Sequence, residues 1–190
     1  MPPGTPSSTS WLPFAWIIAG WGFAWAFGQS VVSYIDPVPG WLISGIAGGL
    51  VTAIALRLAR PSLRLGRRLA VIVGWTAGGA AAAALITYDA WKGWIVMSLL
   101  GGVVTALTVV RAKRSAVVVA AWVIGGLIGT TVGAYLARAL GPVTGGILGG
   151  RSFLLIWAAA WAIAGHITGA VGGAVLLWQV NDSRVRTPES

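Results

Sequence analysis

The chain alternates long apolar runs with short stretches where charges, prolines or glycines gather. Residues 11–34 form the first run, long enough at 1.5 Å per residue to cross about 30 Å of hydrocarbon. Pro13 falls in its first turn, where proline is tolerated. Asp36-Pro37-Val38-Pro39-Gly40 reads as a turn, and residues 41–58 return as a second helix. Beyond an Arg-rich loop the alternation resumes, with a helix over 69–88, a turn over 89–93 and a helix over 94–110. A second basic loop precedes a helix over 115–137. Residues 138–151 are expected to be irregular and interfacial, because Gly141-Pro142 breaks a helix and Gly145-Gly146 and Gly149-Gly150 weaken any helix on its far side. A sixth helix covers 152–180, and 1–10 and 181–190 are polar tails. The prediction is an all-α integral membrane protein, one domain over 11–180. Its six transmembrane helices form three tandem hairpins, 11–58, 69–110 and 115–180.

Within this alternation a motif recurs. Trp41-Leu42-Ile43-Ser44-Gly45-Ile46-Ala47-Gly48-Gly49-Leu50-Val51-Thr52-Ala53 has a near copy in Trp94-Ile95-Val96-Met97-Ser98-Leu99-Leu100-Gly101-Gly102-Val103-Val104-Thr105-Ala106. Gly165-His166-Ile167-Thr168-Gly169-Ala170-Val171-Gly172-Gly173 keeps its small-residue skeleton. The first helices of the hairpins align too, Gly20-Trp21 with Gly74-Trp75 and Ala121-Trp122. Offsets of 54 and 53 join the first two hairpins, whereas the third carries an insertion of 24 residues containing the irregular segment. Units that each cross and return share one orientation, so a pseudo-threefold axis near the membrane normal is expected. Gly45, Gly48, Gly49, Ser98, Gly101, Gly102, Gly169, Gly172 and Gly173 are the candidate helix-packing residues, since small residues three to four apart let helices approach closely in a bilayer. Thr52 and Thr105 stand ready for local or interhelical hydrogen bonds.

Composition strengthens the membrane reading: charged residues are 9% of the chain and hydrophobic residues 57%, with a mean hydropathy of +0.84. The formal charge of +9 would suggest nucleic acid if it were spread over a surface. It is not. Ten of the 13 Lys and Arg lie in the loop from Arg57 to Arg68, the loop from Arg111 to Arg114 and the C-terminal tail, against Lys92, Arg138 and Arg151 on the other side. That bias predicts cytoplasmic N- and C-termini and no nucleic-acid partner. The basic loops face anionic lipid headgroups in this arrangement.

Eleven of the twelve tryptophans fall into two sets. Trp41, Trp91, Trp94 and Trp178 lie near predicted helix ends, as an interfacial belt requires. Trp16, Trp21, Trp25, Trp75, Trp122, Trp157 and Trp161 lie deeper and are expected to face lipid. The alternative for the deeper set is stacking on a quinone, carotenoid or tetrapyrrole.

Chemistry-bearing groups are few. Asp36, Asp89, Asp182 and Glu189 all fall in turns or the tail, so no embedded carboxylate is predicted to relay protons or hold a cation. There is no phosphate-binding Gly-rich loop with its Lys, no metal-ligand cluster and no cysteine. His166 is the chain's one histidine and lies inside a predicted span, replacing Leu42 and Ile95 of the other units. Deep in hydrocarbon its imidazole is expected neutral, available for a hydrogen bond to a neighbouring helix or as an axial ligand to a tetrapyrrole metal, which makes it the candidate cofactor residue. The run His166 to Gly173 is similar to the His-x-x-Gly-x-x-x-Gly pattern in the last core helix of rhomboid intramembrane proteases. The Gly-x-Ser-Gly serine that such proteases pair with it does not occur here, and a histidine without its nucleophile performs no acyl transfer.

The sequence therefore points away from an enzyme. It suggests a structural or assembly subunit of a larger integral membrane complex, touching lipid, other membrane subunits or its own copies, with surfaces suited to pigment or quinone. The other reading is a small-solute channel or transporter built from hairpin repeats.

Overall fold

The computed structural model describes residues 11–32, 36–85, 90–110, 112–148 and 150–185, and all of its regular elements are helices. In chain order they are α1 (Leu12–Trp25) continued by a π-helical stretch (Ala26–Val32), α2 (Pro37–Ala59), α3 (Leu65–Leu85), α4 (Ala90–Val109) and α5 (Ala112–Leu148). Then come α6 (Gly150–Thr168), a π-helical turn (Gly169–Gly173) and α7 (Ala174–Val185). Five stretches are long and apolar enough to cross a membrane: Val38–Ala59, Leu65–Leu85, Trp91–Val109, Arg114–Leu140 and Leu154–Asp182. The protein is in this sense a multi-pass membrane protein. Without water to bond exposed peptide groups, a helix is the form in which one segment satisfies its own backbone.

Each helix packs chiefly on its neighbours in the chain, and α6 with its π turn packs back on α1, so the helices close into a ring. On α3 the buried positions are Val71, Gly74, Trp75, Gly78, Gly79, Ala82 and Ala83, a stripe at three- and four-residue spacing. Leu69 and Val73 on its other side are exposed, as is Leu85 at its C-terminal end. Comparable residues, Phe23, Leu107, Leu155 and Ile124, cover the outside elsewhere. A surface this apolar is at home in lipid.

Several helix limits differ from the sequence reading. Residues 36–40, expected to form a turn, begin α2: Asp36 caps it by accepting from the Val38 N–H at 2.9 Å, and Pro37 occupies the first turn, where its missing N–H costs nothing. Similarly α4 starts at Ala90, inside the expected turn of 89–93. The expected break at Gly141-Pro142 is absent, and α5 runs on to Leu148. A proline forfeits its own N–H bond, but leaving the helix in an apolar medium would expose many more backbone groups. Residues 1–10, 33–35, 86–89, 111, 149 and 186–190, including the N-terminal tail, Asp89 and Glu189, lie outside the described residues.

Candidate functional site

The centre of the ring is built from tryptophan. Trp21, Trp25, Trp75, Trp94 and Trp122 have no exposed surface and Trp161 is 5% exposed. Trp21 meets Trp75, Trp122 and Trp94 at ring-centroid distances of 4.7, 5.0 and 5.8 Å. Trp75 meets Trp122 at 5.0 Å, and Trp25 bridges Trp94 at 5.0 Å to Trp161 at 5.4 Å. Most of these pairs are edge-on or tilted, the arrangement the ring quadrupole favours. Two expectations fall here. Trp21, Trp25, Trp75, Trp122 and Trp161 face the interior, not lipid, and Trp41 and Trp94 are core residues, not interfacial anchors. Trp91 and Trp178 are exposed, Trp16 faces outward as expected, and Trp157 packs half-buried against the core. The physical reason lies in the partner helices, whose glycines open room for indoles.

Those glycines are the predicted packing residues, and all are buried. A methyl group added at Gly48 would overlap the ring of Trp21, at Gly101 that of Trp75, and at Gly172 that of Trp122. At Gly45 it would stand 2.5 Å from the Trp75 carbonyl oxygen, and at Gly169 2.7 Å from the Ile17 carbonyl oxygen. A methyl group at Gly49 would lie 3.0 Å from Ile72 Cα, and one at Gly173 would lie 2.6 Å from the Ile17 side chain. Gly102 is looser, since a methyl group there would still lie 3.7 Å from Val119 Cα. Ser98 takes the place of Gly45 and Gly169 on α4, and its buried hydroxyl has no partner. Beside this looser seam a groove of about 520 Å³ opens on the outer surface between α4 and α5, lined by residues such as Leu99, Val103, Val119 and Ala120.

Hydrogen bonds follow the hairpins. Trp21 Nε1 donates to Thr52 Oγ1 at 3.2 Å, and Trp75 Nε1 donates to Thr105 Oγ1 at 3.1 Å. Thr52 in turn donates to the Gly48 carbonyl at 2.8 Å, so the hydroxyl is used twice. The residue that the motif aligns with Thr52 and Thr105 after His166 is Leu176, and the buried Trp122 N–H has no partner. The N–H groups of Trp25, Trp94 and Trp161 are likewise buried without one.

His166 stands apart from this core. Its side chain is exposed on the outside of α6, lying over Gly22 of α1, where any Cβ would overlap the imidazole. Nδ1 lies 2.6 Å from the Ala162 carbonyl oxygen. A carbonyl only accepts, so Nδ1 carries the proton and a neutral ring holds its lone pair on Nε2. By helical rise His166 is about 18 Å from Leu154, where its apolar stretch begins. The hydrogen bond expected to reach a neighbouring helix is thus made within α6.

Sequence reasoning passed over two polar groups. Gln29 and Ser44 are buried and joined by an Nε2 to Oγ bond of 3.3 Å between the π-helical stretch and α2. At the opposite end of the bundle Arg114 donates to Gln179 Oε1 at 3.1 Å and forms an ion pair with Asp182, which sits on α7 and not in a loose tail. Both were visible as polar residues at the ends of apolar runs. No group of three or more His, Cys, Asp or Glu able to hold a metal exists among the described residues. No family profile, curated protein or solved structure matches the chain.

Proposed function

We propose that the protein is a non-catalytic, non-conducting scaffold, a structural or assembly subunit within a larger integral membrane complex. In this reading six helices span the bilayer as three hairpins about a pseudo-threefold axis, the glycine faces hold the hairpins together, and both termini are cytoplasmic. The observation that carries it is the filled axis: where a channel would need a polar path, Trp21, Trp75, Trp94 and Trp122 pack against one another. Helices gain little from hydrophobicity against lipid, so this interior rests on dispersion and close fit, which favours a rigid body over a moving gate. What such a body can offer is its outside. The α1 and α6 surface with outward-facing His166 is the face for a neighbouring membrane subunit, a second copy or a flat pigment, because an imidazole nitrogen left to hydrocarbon lacks a partner.

Mild detergent extraction followed by native-gel migration tests the scaffold. Co-migration with a large assembly is expected, and solute flux through liposomes holding only this chain would refute it. Visible absorption of wild type and His166→Leu purified from the native host separates the pigment from a subunit contact. A colourless wild type removes the pigment.

A further inference from the structure

The turn between α2 and α3 holds a polar pocket of about 290 Å³ lined by Arg60, Ser62, Leu63, Arg64 and Arg67. Its backbone is tied at both ends. Arg60 N–H closes α2 on the Leu56 carbonyl at 2.7 Å, Leu63 N–H bonds the Arg60 carbonyl at 3.0 Å, and Arg67 N–H bonds the Arg64 carbonyl at 3.1 Å to start α3. Leu63, only 4% exposed, plugs into the core and fixes the turn as a floor. Three guanidinium-bearing residues therefore surround one small volume.

Their charge is not neutralised from within. Between Arg57 and Arg68 there are five arginines and no acidic residue, and Asp36 stands at the far end of α2. Asp182 pairs with Arg114 instead, and no ion pair reaches Arg60, Arg64 or Arg67 among the described residues. Like charges held in one pocket repel, so the pocket favours an anion. Beside the pocket Leu58, Leu65 and Leu69 are exposed, giving an apolar flank next to the cationic pocket.

We propose that this pocket binds the phosphate headgroup of an anionic phospholipid, with Arg60, Arg64 and Arg67 as its ligands and the acyl chains lying along Leu58, Leu65 and Leu69. A guanidinium offers two parallel N–H donors to two phosphate oxygens, a geometry that a lysine does not match. The positive end of the α3 dipole adds to the field at the same place. The leucine flank selects a lipid over free phosphate. The site depends on the chain lying in a membrane and is independent of its role as a scaffold.

The test uses the full chain in neutral detergent, titrated with phosphatidylglycerol, phosphatidylcholine and inorganic phosphate while the melting temperature and bound lipid are followed. Phosphatidylglycerol is expected to bind and phosphatidylcholine to bind far more weakly. Arg64→Gln should weaken phosphatidylglycerol about tenfold, and Arg57→Gln, which removes the same charge outside the pocket, by less than about twofold. Arg64→Lys should fall between them, and the lipid-free melting temperatures should match wild type. Equal losses in Arg64→Gln and Arg57→Gln would reduce the effect to diffuse attraction and overturn the site. Inorganic phosphate that binds as tightly as the lipid and displaces it would overturn the lipid assignment.

Discussion

The seam between α2 and α3 and the seam between α4 and α5 use matching positions of the repeated motif, yet they close to different degrees. At the first, Gly45 and Gly49 bring the α2 backbone against the Trp75 carbonyl and Ile72 Cα, leaving no space for a methyl group. At the second, Ser98 replaces the first glycine, a methyl group at Gly102 would still lie 3.7 Å from Val119 Cα, and a groove opens on the outer surface. The hydroxymethyl group of one serine accounts for the difference: it cannot lie where Gly45 touches a carbonyl, so the helices stand apart and the hydroxyl ends buried without a partner. Close packing in lipid is thus set position by position, and one substitution converts a seam into a groove.

The largest expected effect breaks the tight seam. Gly45→Ala should lower stability by about 2 to 3 kcal/mol, because its Cβ meets backbone that has no rotamer to yield. Gly102→Ala should be neutral or slightly stabilising, as a methyl fits and alanine favours helix. Thermal unfolding in detergent reads both, and equal losses would mean that the seams do not differ. Next in size is the comparison of Trp75, whose Cβ faces Gly49, with Trp122, which faces Gly102. Trp75→Phe discards a bond to Thr105 whereas Trp122→Phe discards an unbonded N–H, so the former should cost about 1.5 kcal/mol more. A reversed order would point to an acceptor for Trp122.

Ser98→Ala should raise stability by about 1 kcal/mol by deleting a buried hydroxyl that bonds nothing. A loss of that size would show the hydroxyl to be satisfied. Smallest of all, Ala120→Val on the groove wall should change stability by less than about 0.5 kcal/mol, since the added methyls enter open space. A substantial drop there would signal that the groove is already occupied in the purified protein.

Five apolar stretches of bilayer length were readable because such a run leaves few alternatives, and the glycines stand out in the sequence because the motif recurs. Which way each tryptophan points was not. In a soluble helix the polar face marks the outside, but α2 and α4 are apolar all round, so Trp41 and Trp94 carry no sign of orientation. Their facing is decided by the helix opposite, as when Gly126 of α5 leaves the space that the Trp94 indole fills. Proline misled in a different way: Pro37 and Pro142 look alike in a sequence, yet one starts a helix under an Asp36 cap and the other lies within one. His166 is legible as the odd residue of its repeat, but its bond to Ala162, one turn back on the same helix, depends on a side-chain rotamer that spacing does not specify.

The tryptophan interior also makes the protein its own optical gauge. Indoles whose centres lie 4.7 to 6.2 Å apart share electronic excitation, and their fixed mutual tilts give that shared transition a handedness visible as near-ultraviolet circular dichroism. The neighbours come from α1, α3, α4, α5 and α6, so the signal exists only while these helices are assembled and vanishes when they separate, even if each stays helical. Far-ultraviolet bands report the helices one at a time. A spectrum that loses the near-ultraviolet band first would thus time the parting of intact helices without any added label.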